Sequence, residues 1–119
     1  MQDNKPRGIK RLVKAFGYSW QGLCFAWRNE IAFQQESWAL LVMLPLALWL
    51  PETRLESAIL IISVLVVLIT ELVNTAIEAA IDRHGDERHH WSAVAKDVAS
   101  AAVLIALIQC ALVWALVLF

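Results

Sequence analysis

One hundred and nineteen residues is the length of one domain, and its 60% hydrophobic content exceeds the roughly 45–50% apolar usage of soluble domains. A formal net charge of −1 provides no bulk basic field, so no nucleic-acid partner is expected. The apolar residues fall in long runs rather than alternating stripes, which predicts an all-α integral membrane protein with a single membrane domain over 1–119.

Met1 to Arg28 does not read as a secretory signal, because no apolar core follows its basic start. Residues 5–28 instead read as an amphipathic helix. Ile9, Leu12, Val13, Phe16, Trp20, Leu23, Cys24 and Trp27 recur with a 3.6-residue period, and Lys10, Arg11, Lys14 and Gln21 fall on the other face. Basic residues opposite a Phe/Trp/Leu face suit a helix lying in a membrane interface. Three spans follow, at 31–50, 57–81 and 93–119, each with the roughly 20 residues that about 30 Å of hydrocarbon requires. Pro51-Glu52-Thr53-Arg54 is the first turn and 82–92 a polar loop. Cys24 and Cys110 lack metal-ligand or redox spacing and read as reduced packing residues. There is no Walker or dinucleotide-type glycine loop.

Of the ten basic residues, six precede Glu30 and three lie between Arg83 and Lys96. Positive-inside placement puts the N-terminus and the 82–92 loop in the cytoplasm and the C-terminus outside.

The second span carries the chemistry. Ala58 to Thr70 is thirteen residues without a charge, about 20 Å of helix. Glu71 then lies in the inner third of the bilayer and Glu78 about 10 Å further on, near the headgroups. At 100° per residue, Glu71, Asn74, Glu78 and Asp82 share a sector of about 80°. One polar residue there would be ordinary helix–helix glue. A whole stripe is more than glue, because a central charge costs at least about 2.5–3.5 kcal/mol on insertion scales and two carboxylates repel without a cation or proton between them.

Glu30 opens the first span from the same side and matches Glu78 in depth. Two carboxylates at headgroup depth on different helices suit Mg²⁺, which takes one or two carboxylates together with phosphate oxygens. Lys96 either snorkels or contacts phosphate, with Arg11 and Lys14 at the same level. His84, His89 and His90 lack an i, i+4 pair and read as a solvated loop. A carboxylate stripped of water at the depth of Glu71 is a candidate general base. Base, metal pair and basic rim together point to phosphoryl transfer from a charged cytosolic donor to a lipid head group.

The stretch Glu71-Leu72-Val73-Asn74-Thr75-Ala76-Ile77-Glu78-Ala79-Ala80-Ile81-Asp82 resembles the signature of the prokaryotic integral-membrane diacylglycerol kinases. Ala95-Lys96-Asp97 with Ser100-Ala101-Ala102-Val103-Leu104 resembles that family's second motif. Gly17-Tyr18-Ser19-Trp20 and Asn29-Glu30 resemble its N-terminal part, so the similarity runs end to end. It implies a homotrimer with sites shared between subunits, and ATP-dependent phosphorylation of sn-1,2-diacylglycerol to phosphatidic acid with Mg²⁺. Carried over, Glu71 is the proton acceptor, and Glu30 and Glu78 are the metal ligands. Arg11, Tyr18, Asn74, Glu87, His89, Lys96 and Asp97 join those two glutamates around the nucleotide. Ser19, Glu36, Trp49 and Ser100 line the lipid side, with Arg11 and Glu71 reaching it too. Val94 and Gln34 depart from the pattern, which carries Arg at both places, and this bears on peripheral contacts only.

Two rivals remain at this point. An undecaprenol kinase would share the fold and the donor. A non-enzymatic transporter would use Glu71 as a proton carrier, leaving the matched depth of Glu30 and Glu78 unexplained.

Overall fold

The computed structural model describes residues 7–83, 85 and 89–119. Four helices follow one another: α1 (Ile9–Asn29), α2 (Ile31–Trp49), α3 (Arg54–Asp82) and α4 (His90–Leu118). The last three are long and apolar enough to cross a membrane. At 1.5 Å per residue, the 29 residues of α3 and of α4 extend about 44 Å, well past the hydrocarbon, whereas the 19 of α2 just match it.

Several helix boundaries differ from the sequence expectation, and the two largest shifts that fall on membrane helices have a local reason. Helix α3 starts at Arg54 rather than Ser57. Thr53 is its N-cap, and the Glu56 backbone N–H donates to the Thr53 hydroxyl at 3.2 Å, a Thr-x-x-Glu start hidden by its polarity. Helix α4 starts at His90 rather than Ala93, because the N-cap His89 accepts from the Trp91 N–H at 3.2 Å through Nδ1. His89 thus has a structural partner rather than lying in a free loop. Helix α2 ends at Trp49 with Leu50 as its C-cap. It carries Pro45 internally, at the usual loss of one i→i−4 bond that membrane helices tolerate.

Helices α1 and α2 are joined by one residue. Glu30 is extended (φ −117°, ψ 107°); its N–H donates to Ala26 O at 2.9 Å and its carbonyl accepts from Gln34 N at 3.1 Å. One residue therefore closes a helix and opens the next. The corner is pinned twice more. The Gln34 side-chain amide donates to Trp27 O, one of the carbonyls orphaned at the end of α1. The Trp27 and Trp38 rings meet at 5.9 Å with a 58° tilt.

Helix α3 is central. It packs most extensively on α4, then on α2, and touches α1. Its buried stripe runs Leu60, Ser63, Val64, Val67, Glu71, Thr75, spaced by three and four residues as one helix face requires. Away from the ionisable end, Ser63 (2% exposed) ties α3 to α4. Its hydroxyl donates to Leu60 O at 2.6 Å and accepts from Trp114 Nε1 at 3.1 Å, with Cys110 Sγ at 3.7 Å. Gln109 Nε2 donates to Ser63 O at 2.7 Å and to Ala106 O at 2.9 Å. Cys24 and Cys110 are both free thiols, as their spacing implied. Many large apolar side chains of α2 and α4, among them Leu41, Leu48, Leu104, Ile105 and Leu116, remain exposed, as surfaces meeting lipid or another helix do.

Interhelical hydrogen bonds of this kind contribute roughly 0.6 kcal/mol, up to about 1.7. Ser63→Ala and Gln109→Leu should each lower the denaturant needed to separate α3 from α4 in mixed micelles. The double variant should fall short of the sum, because both act on one node.

Candidate functional site

The antiparallel packing of α2 on α3 sets carboxyls opposite one another in two tiers. At the α1–α2 corner, Glu30 lies within electrostatic reach of both Glu78 and Glu71. Its carboxyl is held above the ordinary range, first by burial, then by the negative charges of Glu78 and of Glu71. Deeper along the bundle, Glu36 of α2 lies beside Glu71 of α3, within electrostatic reach. Glu71 is 6% exposed, and Glu36 Oε2 is buried without a hydrogen-bond partner.

Around these tiers the helix period arranges the rest. Asn74 sits one turn before Glu78 and donates from Nδ2 to Glu78 Oε1 at 3.2 Å, while Asn74 Oδ1 is buried without a partner. Asp82 closes α3 and receives Lys96 Nζ from α4 at 2.7 Å. Glu78 is close enough to that ammonium to feel its charge. The pair is well exposed, so it is worth little to stability, but it brings a cation to the Glu78 end of the bundle.

One chain brings together Glu30, Glu36, Glu71, Asn74 and Glu78, with Lys96 at their edge. It does not bring in every expected residue. Arg11, Tyr18, Asp97 and Ser100 are exposed, and among the described residues no hydrogen bond or ion pair joins them to the carboxyls. Trp49, 80% exposed, lies thirteen residues along α2 from Glu36, about 20 Å away. Glu87 and His84 lie outside the described residues. No group of three or more His, Cys, Asp or Glu side chains gathers to hold a metal by itself among the described residues. The Asp82–Lys96 pair and the nearness of Glu36 to Glu71 had not been expected.

Between the later half of α1 and the Glu78 end of α3 opens a groove of about 400 Å³. Leu23 and Phe25 of α1 and Leu72 and Ala79 of α3 make it apolar, with Ser19 and Thr75 its polar members. Ser19 is engaged, donating to Ala15 O at 3.0 Å. Thr75 is 8% exposed and its hydroxyl has no partner, an omission that costs about 1–3 kcal/mol in a buried site.

Apolar helices closing around a carboxyl cluster near one end define a membrane protein built around an ionisable site, and known proteins specify which. A family model described as prokaryotic diacylglycerol kinase matches residues 17–118. The diacylglycerol kinase of Escherichia coli K12 is 47% identical over 116 residues, 98% of this chain and 95% of that protein. Those of Haemophilus influenzae (44% over 115 residues; 97% and 98%) and Pseudomonas aeruginosa (44% over 111; 93% and 90%) are similar too. The chain is a bacterial membrane enzyme. It belongs to the prokaryotic diacylglycerol kinase family.

If Glu78 faces Glu30, removing its charge must let Glu30 lose its proton at lower pH. Glu78→Gln should therefore move the Glu30 carboxyl midpoint down toward the ordinary value, read by carbon NMR of the metal-free protein in micelles. An unmoved midpoint would show that the two groups are not neighbours.

Proposed function

We propose that this chain transfers the γ-phosphoryl group of ATP to the free hydroxyl of sn-1,2-diacylglycerol, giving phosphatidic acid and ADP at the cytosolic membrane interface. The observation that carries the reading is the two-tier arrangement. A buried Glu71 is within reach of a lipid alcohol, and Glu30 and Glu78 stand about 10 Å nearer the helix ends, where a charged nucleotide can stay in water.

Glu71 takes the proton of the lipid hydroxyl as its oxygen bonds to the γ-phosphorus and the bond to the β-phosphate oxygen breaks. Glu36, beside Glu71, keeps the base oriented. Asn74 fixes one oxygen of Glu78. The donor set fits a hard divalent cation: Glu30 and Glu78 repel one another when alone, and a cation between them removes that repulsion. Mg²⁺ held by Glu30, Glu78 and phosphate oxygens would supply neutralisation of the charge on the transferred group. Lys96 adds positive charge at the same level, with Arg11, Tyr18, Asp97, Glu87 and His89 around the nucleotide. Ser19, Trp49 and Ser100 face the lipid.

Helix α1 lies in the interface on this reading, its Phe/Trp/Leu side toward the acyl chains and its lysines and arginines toward lipid phosphates. The distribution of basic residues supports a cytoplasmic N-terminus and a periplasmic C-terminus. A homotrimer with shared sites accounts for two features of the single chain. Apolar side chains of α2 and α4 are left open, and among the described residues Arg11, Tyr18 and Asp97 reach no carboxyl of their own subunit.

The test is labelled ATP with Mg²⁺ and a panel of lipid alcohols, using detergent-solubilised protein. Diacylglycerol should be phosphorylated, and faster than undecaprenol; the reverse preference assigns the fold's other substrate. Glu71→Gln should abolish turnover while nucleotide binding survives, and equal loss of both removes the base role. Glu78→Gln should raise the Mg²⁺ concentration needed for half-maximal activity.

A further inference from the structure

Glu78 has a polar neighbour one helical turn to each side on the same face of α3. Asn74, four residues before it, donates from Nδ2 to Glu78 Oε1 at 3.2 Å. Asp82, four residues after it, closes the helix and accepts from Lys96 Nζ of α4 at 2.7 Å. Residues at i and i+4 on a helix stand about 5–6 Å apart at Cβ, so the Lys96 ammonium has two carboxylates for neighbours. Glu78 is within electrostatic reach of it. The contact nevertheless goes to Asp82, and among the described residues no hydrogen bond or ion pair joins Lys96 to Glu78.

The choice of partner matters because the two carboxylates have different tasks. On the reading above, Glu78 holds a divalent cation together with Glu30. An ammonium resting on Glu78 would cover the oxygens that the cation needs, and the cation would then bind only by displacing it. Asp82 has no such task. It also gains more from the pairing, because a negative side chain at the C-terminal end of a helix meets the negative end of the macrodipole. The side chains of Lys96 and Asp82 are 42% and 64% exposed, and ion pairs so exposed are weak. Such a hold biases where a flexible lysine rests, yet yields when a phosphate group arrives.

We propose that Asp82 is a positioning residue that keeps the Lys96 ammonium off Glu78, leaving Glu78 open to the divalent cation and Lys96 at hand for phosphate. Asn74 steadies the Glu78 carboxylate from the deeper side, and Asp82 keeps it clear from the other. This deepens the reading of Glu78 as a metal ligand and rests on it.

The experiment measures Mn²⁺ binding to the full-length protein in micelles by electron paramagnetic resonance. Nucleotide is left out, so that Lys96 has no phosphate to turn to. Wild type is compared with Asp82→Asn, Lys96→Met and the double variant; both side chains are exposed, so the packing of α3 on α4 does not depend on them. Asp82→Asn should raise the Mn²⁺ Kd about two- to sixfold, the competition expected from an exposed ion pair re-formed on Glu78. Asp82→Glu, which keeps a carboxylate near Lys96, should bind as wild type does. In the Lys96→Met background the same Asp82→Asn change should leave the Kd unmoved, because no ammonium remains to relocate. Loss of a negative charge alone weakens binding equally in both backgrounds, and that result, or no weakening in either, overturns the assignment. Glu78→Gln tests the underlying reading separately. It should itself weaken Mn²⁺ binding, and an unchanged Kd in that variant fails the metal reading, the role of Asp82 falling with it.

Discussion

A carboxyl group inside a membrane helix must be covered by protein, and most of the architecture follows from covering Glu71. Leaving such a group to lipid costs at least about 2.5–3.5 kcal/mol. The face of α3 that carries Glu71 is accordingly its buried face, continuous with Leu60, Val64 and Val67. Helix α2 supplies a second carboxyl, Glu36, beside it, and two carboxylates so placed repel unless a proton or cation lies between them.

The second tier depends on a corner rather than on a helix face. Glu30 is the whole link between α1 and α2, and its backbone makes the last bond of one helix and the first of the next. The position of its carboxyl is therefore set by the angle between the helices, which Gln34 and the Trp27–Trp38 contact hold. Gln34 is thus a corner-bracing residue in this chain. The amide satisfies a helix-end carbonyl without adding a charge beside the carboxylates. At the far side of the bundle, the Ser63 node holds α3 against α4 and so fixes the rotation of the helix on which every carboxyl of α3 is mounted.

Much of this was legible in residue order because membrane depth is arithmetic. Counting residues from each span's end matches Glu30 with Glu78. The same count matches Glu36 with Glu71, six residues from Glu30 and seven from Glu78 respectively, about 9 and 10.5 Å. The nearness of Glu36 to Glu71 was within reach of that count. The starts of α3 and α4 were expected three residues too late, at Ser57 and Ala93, because polar capping residues resemble loop. The Lys96–Asp82 pair was hidden because it depends on the length and path of the α3–α4 connection rather than on any period.

The sequence by itself determined the class, the number of apolar helices and the membership of the carboxyl stripe, because hydrocarbon thickness and helical pitch leave little freedom in those quantities. The tertiary structure decided which groups meet. It set Glu36 against Glu71, turned Lys96 to Asp82, and left the Thr75 hydroxyl unpaired beside an apolar groove. Those outcomes depend on how each helix rotates about its axis and where its neighbours cross it, and packing alone sets both.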